Sequence, residues 1–174
     1  MTTIVDGTTG ITFPSTIAGV SAVQQYSSRV FQVVQGTSTT QTSNTTDTYA
    51  DANLSASITP SSSTSKVLVL VSQSHRIVSS INNISADIGV IRLLRAATSI
   101  FETDNLLGVQ AACPSGDVIL YHWLNPIVYL DSPATTSSIT YKTQMKLRLT
   151  GGARQIYSQY NSTTSTITLL EIAV

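Results

Sequence analysis

The chain has 174 residues, enough for one ordinary domain with length left over for an arm. Its net charge is zero and only 10% of residues are charged, which argues against a nucleic-acid surface, while 41% apolar content argues against general disorder. Ser and Thr make up roughly 30% of the chain, so hydroxyls rather than charges must solvate the surface, and Thr with abundant Val and Ile favours strands.

Residues 1–29 read as an extended N-terminal arm. Gly7, Gly10 and Pro14 punctuate it, no helical period persists, and 15–26 could make at most a loose helical turn. Ile4, Val5, Ile11, Phe13, Pro14 and Ile17 are its apolar and rigid positions. They are too few to build a core, so the arm is either mobile or ordered by packing on another chain, and the apolar anchors favour docking. The segment MTTIVDGTTGITFP lacks the basic region and continuous apolar stretch of a signal peptide. No apolar run approaches the roughly 20 residues of a membrane helix.

Val30 to Gln35 is the first expected strand, followed by a polar loop over Gly36 to Thr48. Tyr49 to Ile58 alternates weakly through Leu54, Ala56 and Ile58. Pro60 and the following serines make a turn. Lys66 to Arg76 is a strong strand whose apolar run is continuous at first, so both faces are expected to be covered there. Ile77 to Ala86 reads as a loop and Asp87 to Ala97 as a strand, although a helical pattern also fits. Ser99 to Gly108 reads as a connection, and Gln110 to Gly116 as a loop holding the single cysteine, Cys113, which excludes an internal disulfide or a Cys-based zinc site. Asp117 to Asp131 is long and apolar. Pro126 should bend, bulge or split it.

The clearest strand follows the turn at Asp131-Ser132-Pro133. Ile139, Tyr141, Thr143, Met145, Leu147 and Leu149 fall on one face, with Thr140, Lys142, Gln144, Lys146 and Arg148 on the other. A short piece near Ile156 and the run Ile167 to Ile172 complete eight or nine strands. The pattern predicts an all-β antiparallel jelly-roll sandwich over 30–174, behind the arm of 1–29.

The segments DGTTGITFP, FQVVQ, LSASITPSSSTSKVLVLVS, IRLLRAATSI, YLDSPATTSSITYKTQMKL and STITLLEIA, in this order, resemble virion structural proteins of tailed bacteriophages, tail-fibre-like or head-decorating. The resemblance implies a jelly roll similar to C1q and tumour-necrosis-factor trimers. It also implies a homotrimer without enzymatic activity, assembled in the host cytoplasm and released by lysis. The partners it implies are other virion proteins, of the tail or the major capsid, and a host surface glycan or receptor. A long fibre would carry a shaft where this chain has only its arm, which leans toward a short appendage or a capsid cement protein.

No catalytic or metal constellation is legible. His75 and His122 lack metal-ligand spacing, and no nucleophile elbow or glycine-rich phosphate loop is present. A paired-carboxylate glycosidase, with Asp117, Asp131 or Glu171, is an alternative by arithmetic alone. No cofactor, nucleic acid or membrane partner is expected. Arg92 and Arg95, within an apolar stretch, are trimer-interface candidates with Tyr121 and Trp123. Tyr157, Tyr160 and Asn161 are the candidates for a binding loop.

Overall fold

A computed structural model describes residues 4–6, 10–12, 29–79, 84–103, 107–111, 119–148 and 154–173. In chain order the strands are β1 (Ile4–Asp6), β2 (Gly10–Thr12), β3 (Val30–Ser38), β4 (Thr42–Asn44), β5 (Ala50–Ile58), β6 (Lys66–Ser79) and β7 (Ile84–Arg95). They continue as β8 (Thr98–Glu102), β9 (Leu107–Ala111), β10 (Ile119–Asp131), β11 (Ile139–Leu147), β12 (Arg154–Ser158) and β13 (Ser165–Ile172). One 3-10 turn, Tyr160–Ser162, lies between the last two. β1 and β2 form an antiparallel hairpin in which Val5 faces Ile11. Phe13, Pro14, Ile17, Cys113, Leu149 and the turn expected over 15–26 lie outside the described residues.

The remaining strands make two antiparallel sheets. Three pairs of segments behave as single interrupted strands. β12 and β13 run in turn along the same edge of β6, β3 and β4 run along β13 and β12, and β8 and β9 run along β7. Counted this way there are eight strands. Their order is first, eighth, third, sixth in one sheet and second, seventh, fourth, fifth in the other. First pairs with eighth, second with seventh, third with sixth and fourth with fifth. That is one long hairpin rolled into two sheets, the jelly-roll topology.

Alternation decides which residues fill the space between the sheets. In β11, Ile139, Tyr141, Thr143, Met145 and Leu147 are all buried, as the sequence pattern requires. Ala52, Leu54, Ala56 and Ile58 of β5 join them, with Val67, Val69, Val71 and Ile77 of β6 and Ile167 and Leu169 of β13.

Several expectations need correction. The loop expected from Gly36 is strand to Ser38 and again over β4. Ile77 to Ser79 still belongs to β6, and Ile84 to Ala86 already to β7. The connection expected over Ser99 to Gly108 contains β8 and the start of β9. Pro126 causes no break: the register runs unshifted from Ile119 opposite Ser79 to Asp131 opposite Val67. β10 lies at the edge of its sheet, where a proline is tolerated because its missing donor can face the open side.

The interruption between β12 and β13 is closed by buried polar groups. Gln159 leaves the strand in a left-handed conformation, φ 51°, and its backbone N–H donates to Ser74 O at 3.1 Å. Ser74 N–H donates to Ser165 Oγ at 3.0 Å, and Gln73 Nε2 donates to Ala52 O at 2.9 Å. With its amide oriented to suit its neighbours, Gln159 donates to Ala52 O and accepts from Gln73 Nε2. The polar excursion at Gln159 and Ser165 therefore stays buried with its hydrogen bonds made, the condition for tolerating it in a core, while Gln73 Oε1 beside it is left without a partner.

Where β3 crosses over β5, the backbones approach so closely that a Cβ on Gly36 would lie 2.1 Å from Ser55 O. Gly36→Ala should therefore destabilise the fold by about 1–3 kcal/mol, the usual cost of overpacking, measured as a lowered urea midpoint with an unchanged slope.

Candidate functional site

The two sheets present unlike outer faces. On the β5–β11 side the outward residues are Asp51, Asn53, Ser55, Ser57, Thr140, Lys142, Gln144 and Lys146, a wetted surface. Lys142 Nζ pairs with Asp51 at 2.9 Å. Arg92 donates to Gln144 Oε1 from Nε and Nη2, at 2.9 and 2.6 Å, and stacks 3.7 Å over the Tyr49 ring.

The outer face of the other sheet is apolar over one half. β10 turns Leu120, Leu124, Pro126, Val128 and Leu130 outward, and Leu124 and Val128 are 61% and 69% exposed. The register continues the surface across the sheet: Leu130 lies opposite Leu68, Leu68 opposite Leu170, and Leu170 opposite Val33. Val128 lies opposite Leu70, and Phe31 stands exposed at the far corner. Among the described residues the charged side chains of this half are confined to one end, at Lys66 of β6 and Arg29 just before β3. Contiguous exposed apolar surface of this kind marks an interaction site.

The other half of the same face carries a different chemistry. Tyr157, Arg76 and His122 stand in one row across three strands. Tyr160, from the 3-10 turn, lies over Arg76 with its ring centroid 3.8 Å from Cζ. The Tyr157 and His122 rings meet Tyr160 edge-on, at 5.4 and 5.6 Å.

Of the interface candidates, Arg95 is already paired within the chain: its Nη1 donates to both Asp131 oxygens, at 2.9 and 3.1 Å. Buried Asp131 also accepts from Tyr141 Oη at 2.7 Å. Burial, with that carboxylate alongside, pushes the phenol upward. Trp123 faces inward and stacks on His75, while Tyr121 is half exposed at the start of β10. Tyr157 belongs to β12 rather than to a loop, Tyr160 is half-buried, and Asn161 is exposed. The apolar residues of β10 and the partners Arg76 and His122 were missed. The long run over 120–130, apolar at both parities, was the available signal for the first. The second pair is assembled only by strand register.

His75 and Ser158 form a Ser–His contact, Oγ to Nδ1 at 3.1 Å, but both are sealed at 0% exposure in the core. Glu171 is equally buried and takes hydrogen bonds from Gln32 Nε2 and from Ser61 N–H and Oγ, at 2.6–2.7 Å. Among the described residues no group of three metal-ligating side chains gathers, and no helix is long and apolar enough to cross a membrane.

The fold and its faces define a jelly-roll protein. No protein family and no curated protein matches the chain. Solved structures do. The VP2 subviral particle of infectious bursal disease virus aligns at TM-score 0.43 and 16% identity, over 93% of this chain and 41% of that one. The Gt strain of the same virus aligns at 0.39 and 12%, over 94% and 47%. The chain thus spans less than half the length of these neighbours, and at such scores the likeness adds nothing to the strand pairing above.

Burial lowers the His75 pKa from 6.5 to about 3. The unfolded chain takes up this proton near 6.5 and the folded chain does not, so the stability is complete above that pH and is lost as pH falls toward 3. Burial of Glu171 opposes its charge, but the hydrogen bonds from Ser61, Gln32 and Ser65 outweigh it and lower its pKa from 4.5 to about 2. Its contribution is present above 4.5 and is lost through the more acid range. Thermal unfolding at pH 7, 5.5 and 4 should show Tm falling by roughly 5–10 °C. In His75→Asn, the fall between pH 7 and 5.5 should be reduced relative to wild type.

Proposed function

We propose that this chain is a non-enzymatic bacteriophage virion structural protein. It acts as a homotrimeric short tail-fibre or appendage module whose arm docks on the particle through Ile4, Val5, Ile11, Phe13, Pro14 and Ile17. The observation that carries this reading is the apolar half-face of the β3–β13–β6–β10 sheet, set against the wetted face on the other side of the sandwich. A largely apolar surface fits another like itself, and a neutral chain puts no net electrostatic barrier between copies. From Leu124 to Leu130, six rises of about 3.4 Å, and across four strands, three gaps of about 4.8 Å, the half-face measures roughly 20 by 14 Å between its outermost backbone positions. The patch alone is smaller than the roughly 800 Å² that each partner contributes to an ordinary stable interface, so closed assembly would draw on neighbouring surface as well.

The order of segments shared with phage structural proteins supports the virion setting, and the jelly roll fits it. Closed symmetry would bury the apolar half-face and cover the β10 edge in one contact. A face directed at a threefold axis meets both neighbours.

Sedimentation of the intact protein should give three times the mass of the chain. The double substitution Leu124→Lys and Val128→Lys should shift it to monomer while leaving the far-UV circular dichroism unchanged. A wild-type monomer at micromolar concentration, or a double variant that still assembles, would count against this reading.

A further inference from the structure

The half of the outer face that the apolar surface leaves free carries a cation, Arg76, in an unusual setting. Arg76 lies in the middle of β6, flanked in register by Tyr157 and His122. One face of its guanidinium is covered by Tyr160 at 3.8 Å, and Tyr157 lies 5.9 Å away. A guanidinium carries five donors in a planar fork. Among the described residues none of them meets a carboxylate, and Nε is buried without a hydrogen-bond partner. The cation is thus held in place by aromatic rings while its donors remain unspent.

The rings are themselves positioned. Tyr160 is set by the turn: Thr163 N–H and Oγ1 both donate to its carbonyl, at 3.3 and 2.6 Å. Tyr157 Oη donates to Gln155 Oε1. Asn161 N–H donates to Gln41 Oε1 at 3.1 Å, which ties the turn to the neighbouring strand connection. His122 extends the row outward and is exposed.

We infer that Arg76, Tyr157, Tyr160 and His122 form a binding site for a carboxylate-bearing sugar of an acidic glycan. A planar carboxylate matches the unspent fork of a guanidinium in bidentate geometry. Tyrosine rings offer an apolar face for a pyranose and a hydroxyl for its polar edge. A neutral sugar would leave the donors unmatched, which gives the site its selectivity. Leu124, the near end of the apolar half-face, lies two residues beyond His122 on β10, about 7 Å at strand rise, so the ligand site adjoins the assembly face at its border rather than lying within it. The inference rests on the appendage reading above and names what such a module would contact, but it is tested independently of oligomeric mass.

The test is calorimetric titration of the intact protein with trigalacturonate and with sialyllactose, using galactotriose as the neutral counterpart. At least one acidic probe should bind and galactotriose should not. Arg76→Gln and Tyr160→Ala should each weaken binding at least tenfold, with Arg76→Lys falling between, and all three should keep the wild-type sedimentation mass. Failure of wild type to bind either acidic probe overturns the assignment. So does full-strength binding by Arg76→Gln, or equal binding of galactotriose. A wild-type monomer that still binds the acidic probe would instead count against the trimer alone.

Discussion

β6 sets the constraint on which the rest depends: it is apolar on both faces along its first half. Val67, Val69 and Val71 point inward and are sealed by β5 and β11 of the facing sheet. Leu68 and Leu70 point the other way, and their neighbours in register, Leu130, Val128 and Leu170, are apolar too. Period-2 geometry allows no compromise, since a shift of one residue would exchange the two sets without hiding either. One sandwich can cover only one of these faces. The second stands open on the described residues, and it is this face that the proposed assembly would cover.

The fold accommodates its irregularities by a common device. Three of its eight strands are broken, and at the break between β12 and β13 the chain leaves the ladder while side chains take over the lost hydrogen bonds. Gln73, Gln159 and Ser165 do this in the core, and Asn44 does it at the neighbouring end, donating to Thr48 O and Met145 O and accepting from Thr46 N–H. The Ser- and Thr-rich composition thus has an internal role as well as a solvating one. The same excursion lifts Tyr160 over Arg76, so the site on the outer face depends on the polar packing beneath it.

Legibility in the sequence followed strand length and face contrast. β11 could be read residue by residue because its inner and outer sets differ sharply, and β6 announced itself by a continuous apolar run. β4 could not be read: Thr42–Asn44 is short and polar, and Asn44 is buried by virtue of its hydrogen bonds, which no periodicity reveals. β8 and β9 were taken for connection because each is only five residues long. Pro126 misled because a proline is disruptive within a sheet and harmless at its edge, and edge position is a property of topology. Tyr157 and Tyr160 were visible as an aromatic pair. Arg76 and His122 join them only through pairing between strands far apart in sequence. The arginines that drew attention, Arg92 and Arg95, find their partners Gln144 and Asp131 in the same way.

Hydroxyl-radical footprinting of the native protein tests the central claim most directly, because it reads whether the outer face of β10 is covered. Leu124, Val128 and Leu130, at 51–69% exposure in the single chain, should be protected from oxidation in the assembled protein and become reactive when it is diluted to monomer. Oxidation of all three at the rate of freely exposed side chains in the assembled protein would contradict the account.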